Sequence, residues 1–352
     1  MIVYIILAIL LLFLTILELL NRGVHISIRL FLVIVLTSLM GFRNDVGNDY
    51  QSYVGIYRNL DWYSDILEIG FYYLCYYADS YGASHQFVFL VCSMLIMFPI
   101  AFVVNKIIPK FFCTAMSIYV FSYVYFEAMN TMRQAVAMSF FLLSFYYLVK
   151  VKKNMKAILA ICAGFLFHKS IFIISVIACL FWCLKSVIGS RLCFLAQIAS
   201  IIVGSALSVF SDYLAIISLY LGFNTNYFDS FEQRGVSGGT FQIYLNLSVL
   251  YLIIFKRKLF SHENELNKIV VLYYILSVLI YNIFISFYIG LRFYWYFYIF
   301  LILLIPILVR KKRLQNRPLY FIILIFIMTV YTFVSLCSED YINYDFNFSL
   351  FN

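Results

Sequence analysis

Ten apolar runs recur along the chain, at 2–20, 26–42, 86–104, 111–129, 131–149, 192–210, 241–255, 269–289, 293–309 and 318–336, and most come near the roughly 20 residues a helix needs to cross a bilayer. With 65% hydrophobic and only 12% charged residues and a mean hydropathy of +0.96 over 352 residues, the chain has more apolar surface than a soluble domain of that length can bury. Lipid must cover the rest. Ten-residue segments of alternating polarity, the mark of a barrel, are absent, so the spans read as helices that satisfy their own backbone. The predicted fold class is therefore all-α, a polytopic integral membrane protein with about 10 full transmembrane helices in one transmembrane domain over residues 1–352. The first run lacks a basic n-region and a small-residue cleavage site, which marks a retained span.

An eleventh apolar stretch, 157–184, is too long for one untilted span and carries His168 and Lys169 at its centre. The basic clusters decide how it runs. If the Arg22 to Arg29 turn is cytoplasmic, alternation puts Lys106, Lys110, the Lys150 to Lys156 cluster, Lys256 to Lys258 and Arg310 to Arg317 on the same side. This holds only when 157–184 enters and returns, as a pair of half-helices with Phe167-His168-Lys169-Ser170 at the apex. Of the 25 Lys and Arg, 19 then lie inside, and 13 of the 16 acids lie outside. The exterior segments are 43–85, 211–240 and 337–352. In the first, residues 66–81 form an aromatic, amphipathic stretch suited to a helix in the interface.

A net charge of +9 would suggest nucleic acid in a soluble protein, but these cations sit in short clusters between spans and act as topology signals, so no nucleic-acid partner is expected. The eight cysteines lie mostly inside apolar runs without Cys-x-x-Cys or Cys/His spacing. They read as buried thiols; no metal site and no cofactor is expected.

Four constellations carry chemistry. Gly41-Phe-Arg-Asn-Asp-Val-Gly-Asn-Asp-Tyr50, with Tyr53 and Tyr57, gathers Arg43, Asp45, Asp49 and Tyr50 where the second span meets the exterior. Tyrosine faces stack on sugar rings, carboxylates accept hydroxyl protons, and an arginine fork fits phosphate. The bland reading is an interface belt with a snorkelling arginine. Arg133, followed by Gln134, stands at the start of an outer helix, where it opposes the helix dipole and asks for an anionic partner: a substrate, Glu127 or an exterior Asp. His168 and Lys169 are ionisable groups at membrane depth, and a neutral histidine can serve as general base; a satisfied structural histidine is the alternative. Arg234 and Arg292 complete a set of exterior cations that could bind a multiply charged anion.

Phe42-Arg43, Val46-Gly47-Asn48-Asp49-Tyr50 with Tyr53, Glu68-Ile-Gly70-Phe71, Met132-Arg133-Gln134-Ala135-Val-Ala137 and His168-Lys-Ser170 together resemble successive blocks of the EpsG-type polysaccharide polymerases, relatives of the Wzy O-antigen and capsule polymerases. Asn48 stands where members more often have Thr, and Ile69 where they more often have Pro. The resemblance implies a GT-C-like, metal-independent membrane glycosyltransferase of the bacterial inner (cytoplasmic) membrane with a periplasmic active face. It would polymerise undecaprenyl-pyrophosphate-linked oligosaccharides, as donor and acceptor, within membrane lipid and alongside a chain-length regulator protein. His168, Asp49 and Asp45 are then the catalytic candidates, and Arg43, Tyr50, Tyr53, Glu68, Arg133, Gln134, Lys169, Arg234 and Arg292 the substrate-binding ones. The competing class is a transporter or flippase of lipid-linked oligosaccharide, which would more often show repeats and midplane charges open to both sides. A membrane acyltransferase would also use a buried histidine, and a scaffold would need none of these groups.

Overall fold

The structure, a computed structural model, describes residues 2–209, 238–260, 265–286, 288–310 and 344–351, together with 328–330, 332 and 336. The described residues are almost entirely helical: α1 (Ile2–Leu20), α2 (Ile26–Gly41), α3 (Tyr50–Arg58), α4 (Ile69–Ser80), α5 (His85–Ile107), α6 (Phe112–Phe121), α7 (Val124–Asn130), α8 (Met132–Phe145), α9 (Asn154–Phe165), α10 (Ser170–Leu184), α11 (Ser190–Val209), α12 (Gly238–Phe255), α13 (Glu265–Ile283), α14 (Tyr288–Tyr298) and α15 (Leu301–Arg310). Two short strands, β1 (Arg43–Asn44) and β2 (Asp345–Phe346), pair antiparallel.

The described residues bear out a multi-pass helical protein without confirming the count of about ten full spans. Six described helices are long and apolar enough to cross: Ile2–Leu20, His85–Ile107, Met132–Val151, Ser190–Val209, Glu265–Ile283 and Gly290–Val309. The 111–129 run is not one rod, because the chain breaks at Ser122 and Tyr123, with Tyr123 at φ +68, and bends by 54° into α7. A residue in the left-handed region cannot continue a right-handed helix, so the chain turns there. The 26–42 run forms the 16-residue α2 and the 241–255 run lies within α12, neither counted among these six, while 318–336 lies largely outside the described residues. The 157–184 stretch is two short helices, α9 and α10, broken at 166–169. At about 1.5 Å per residue, the 12 residues of α9 rise roughly 18 Å, short of a bilayer core of about 30 Å.

The residues fall into two compact units, Met1–Ser175 with Leu301–Asn352, and Val176–Phe300. In the first, α5 packs on α2, α4, α6, α8 and α15, and all ten residues of α6 are buried. A helix buried all round must have its end groups satisfied from inside. Glu18 of α1 accepts from Cys113 N (2.9 Å), Thr114 N (2.8 Å) and Thr114 Oγ1 (2.8 Å), and Thr332 Oγ1 donates to the Phe121 carbonyl at the other end (2.8 Å). Thr15 and Ser117 hydroxyls meet between (2.9 Å).

In the second unit, α10 passes α13 with the Tyr273 hydroxyl on the Ala178 carbonyl (3.2 Å) and Lys185 paired to Glu265 (2.5 Å), while α11 and α12 pack on α13 through amides. Asn282 donates to Ser200 Oγ (2.9 Å) and to Asn246 Oδ1 (3.0 Å), and accepts from Asn246 Nδ2 (2.8 Å) and Gln242 Nε2 (3.1 Å). Helices in lipid gain no hydrophobic drive from meeting each other, so such a network is what holds three of them in register. Of the cysteines, Cys75, Cys92, Cys113 and Cys193 are buried as expected, but Cys162, Cys179 and Cys183 are exposed on helix faces, and all seven are free; Cys337 lies outside the described residues.

Candidate functional site

Three blocks distant in sequence meet at one end of the first unit, opposite the Lys106 end of α5. Arg133, second residue of α8, pairs through Nη1 with Glu68 Oε2 at 2.5 Å, and its guanidinium lies 5.7 Å from the Phe71 ring centre. The partner is Glu68, not Glu127 or an exterior Asp as the sequence suggested, because α4 brings its first turn against the start of α8. Glu68 Oε1 also accepts from Lys169 N at 3.4 Å, so one carboxylate joins the Arg133 helix to the α9–α10 apex. The Tyr53 hydroxyl oxygen accepts from Arg133 N at 3.5 Å and from the Arg133 side chain; burial raises the pKa of this tyrosine, which keeps it protonated. Arg133 Nε is buried with no hydrogen-bond partner among the described residues.

Gly70 makes this assembly possible. Its N–H donates to the Leu166 carbonyl at 2.8 Å, and a Cβ there would sit 2.7 Å from that oxygen. Any side chain would push α4 off the apex.

His168 is half-buried, and its Nδ1 lies 2.7 Å from Ser170 Oγ and 3.3 Å from Ser170 N, so the ring caps the start of α10. The same His-x-Ser cap occurs at His25 and Ser27 on α2, with 3.0 and 3.3 Å contacts. Capping is thus part of what His168 does. Lys169 is exposed and meets Glu68 through its backbone.

The Arg43 motif divides. Arg43 is fully buried: Nη1 donates to the Met40 carbonyl (2.6 Å), Nη2 to the Met129 carbonyl (3.0 Å), and the guanidinium lies over Phe89 at 4.8 Å. It ties the ends of α2 and α7. Tyr50 is buried, its hydroxyl between Asn44 Oδ1 (3.2 Å) and His85 Nε2 (3.3 Å). Asp45 is exposed at φ +52 and accepts from Gln51 Nε2 at 2.5 Å, while Asp49, partly exposed, occupies the N-cap of α3. Gln134 is buried on α8. Arg292 is partly exposed on α14 of the second unit, and Arg234 lies outside the described residues.

Sequence reasoning missed two parts of this end of the molecule. His85, capped by Ser84 at the start of α5, sits among Tyr50, Tyr57 and Phe89; the Ser before an apolar run was the available signal. Tyr57 donates to the Ala83 carbonyl at 2.5 Å, and burial pushes its hydroxyl up to about 12. The tail 344–351 was read only as an exterior segment, yet it lies across the motif. Phe346 pairs with Arg43 and Asp345 with Asn44, Asn347 N donates to the Phe42 carbonyl (2.9 Å), and Ser84 donates through N to Leu350 O (2.9 Å) and through Oγ to Ser349 O (2.5 Å).

Together these features define a polytopic helical membrane protein with an arginine–carboxylate site at one end of its first unit. The sequence model of the EpsG family matches residues 26–346, and the chain belongs to the EpsG family, whose membership points to a polysaccharide polymerase. No curated protein and no solved structure matches the chain.

Proposed function

We propose that the chain is a GT-C-like membrane glycosyltransferase that joins undecaprenyl-pyrophosphate-linked oligosaccharides into O-antigen, capsule or exopolysaccharide, at the periplasmic face of the bacterial inner membrane and without a metal ion. The observation that carries this reading is Arg133: a guanidinium fixed by Glu68, with a buried Nε that has no partner among the described residues. A preorganised cation in a dry site is what a leaving pyrophosphate needs, since it gains charge as the glycosidic bond breaks. The acceptor sugar's hydroxyl oxygen bonds to the anomeric carbon of the growing chain, the bond to the lipid pyrophosphate breaks, and the hydroxyl proton passes to a base. His168 is the first candidate: a half-buried imidazole at the α9–α10 apex, whose Nδ1 accepts from Ser170 N (3.3 Å) and meets Ser170 Oγ (2.7 Å), and the one side chain type that takes a proton near neutral pH. Asp49 and Asp45 are the second, at the same end of the unit. Tyr53 and Tyr50 would flank the sugar, Gln134 and Lys169 lie beside the anion and the base in sequence, and Arg43 holds the helix ends in place. Arg234 and Arg292 stay candidates for substrate binding on their chemistry alone. The test is reaction of the purified protein with lipid-linked repeat units. A ladder of products in the wild type, lost in Arg133→Lys, is expected, because lysine keeps the charge but not the fork. Movement of the unit across a vesicle membrane without bond formation would replace the polymerase with a flippase.

A further inference from the structure

The exposed face of α4 is a row of tyrosines that the site above does not use. Tyr73, Tyr76 and Tyr77 are 46, 49 and 54% exposed, while Phe71, Cys75 and Ala78 bury the opposite face. The rings are ordered along the helix: Tyr72 and Tyr76 are near parallel (15°, centroids 6.3 Å apart), as are Tyr73 and Tyr77 (25°, 5.9 Å). Tyr81, the exposed C-cap of α4, continues the row at its end. Aromatic surface of this extent on one face marks a binding surface.

Its charge selects the occupant. Residues 59–84 contain Asp61, Asp65, Glu68 and Asp79 and no Lys or Arg. A helix that binds anionic lipid electrostatically carries Lys and Arg on its polar face, and α4 carries neither. Exposed aromatic faces flanked by carboxylates, Asp79 at the end of α4 and Asp61 and Asp65 before it, fit a neutral, hydroxyl-rich chain, because sugar C–H groups pack on the negative ring faces and hydroxyls donate to the acids. The row also starts at the site. Glu68, which holds Arg133, is the N-cap of α4, and Tyr72 follows four residues on, roughly 6 Å along the helix.

We propose that the α4 tyrosine row is a docking track for a neutral glycan, which rests on the polymerase reading for its role: it holds the growing chain beside the Arg133 site and sets product length. The test uses the full-length protein in nanodiscs, with neutral dextran as the probe for calorimetric binding and lipid-linked repeat units for the product ladder. The Tyr73→Ala/Tyr76→Ala/Tyr77→Ala variant is expected to bind dextran about tenfold or more weakly and to shorten the ladder, whereas the corresponding triple Phe variant keeps the rings and restores both. Unchanged dextran affinity in the Ala variant overturns the track, as does loss of binding to phosphatidylglycerol vesicles with dextran affinity intact, which would make α4 a lipid-interface helix. A wild type that binds dextran through these tyrosines but makes no ladder keeps the track and removes the polymerase reading.

Discussion

Arg133 and Glu68, 65 residues apart in the chain, form a 2.5 Å ion pair in which the arginine side chain is 25% exposed and the carboxylate 10%. Because Glu68 also accepts from Lys169 N, the pair fixes α4, α8 and the α9–α10 apex against one another.

Removing one partner leaves the other half-desolvated and uncompensated. Glu68→Gln should destabilise the protein by about 1–3 kcal/mol, and Arg133→Gln by a similar amount. The double variant should lose less than the two singles combined, since neither charge is then left alone. Thermal unfolding of the purified protein reads this; strict additivity would mean that the pair carries no coupling.

His168→Asn separates capping from proton transfer. Asparagine is a good N-cap and keeps the start of α10, but it cannot take a proton near neutral pH. Polymerisation should fall by about 10²-fold or more with near-normal thermal stability. His25→Asn, at the matching cap on α2, serves as the control and should keep activity. If His168→Asn polymerises normally, the histidine is a cap only, and the base is Asp49 or Asp45.

Gly70→Ala places a methyl 2.7 Å from the Leu166 carbonyl, against backbone that cannot swing aside. A cost of about 1–3 kcal/mol and loss of the ladder are expected. Gly55→Ala, where nothing lies within 4 Å, is the neutral comparison on the adjacent helix. Equal melting temperatures for the two variants would remove the close approach as a requirement.

Truncation after residue 343 removes the strand that pairs with Arg43 and Asn44 and the carbonyls that hold Ser84. It also strips Phe348 from Phe42. The expected result is faster hydrogen exchange at Asn44 and Ser84 and a lower melting temperature, with the Arg133–Glu68 pair intact. Unaltered exchange at those amides would show that the strap contributes nothing in solution.

Topology is open to cysteine labelling. Positions 59, 226 and 345 should react from the periplasm, and 154, 257 and 312 should not. Native Cys75 will not interfere, because it is 1% exposed and burial raises its thiol to about 12. Protection of 226 with labelling of 257 would mean that 157–184 crosses only once.

The apolar runs by themselves determined that the chain is helical and membrane-embedded, because no arrangement in water buries them and only closed hydrogen bonding survives in lipid. The break at His168 was equally legible, since a titratable pair in the middle of 28 apolar residues interrupts any single span. The motif blocks around Arg43, Tyr53, Glu68, Arg133 and His168 stood out in the sequence through residue type and position. Their pairings did not. Nothing local to Arg133 says that its carboxylate is Glu68 and not Glu127, or that Arg43 turns inward to two backbone carbonyls. Such choices depend on which helix ends the packing brings together, and the packing is set by whole helix faces, by a missing side chain at Gly70 and by a buried α6 whose termini other segments must satisfy. The amides of Gln197, Asn246 and Asn282, spread over 86 residues with no shared spacing, likewise become a network only when three helices meet. Hydrogen bonds between distant residues leave no periodicity in a sequence, and for that reason only the tertiary structure decided them.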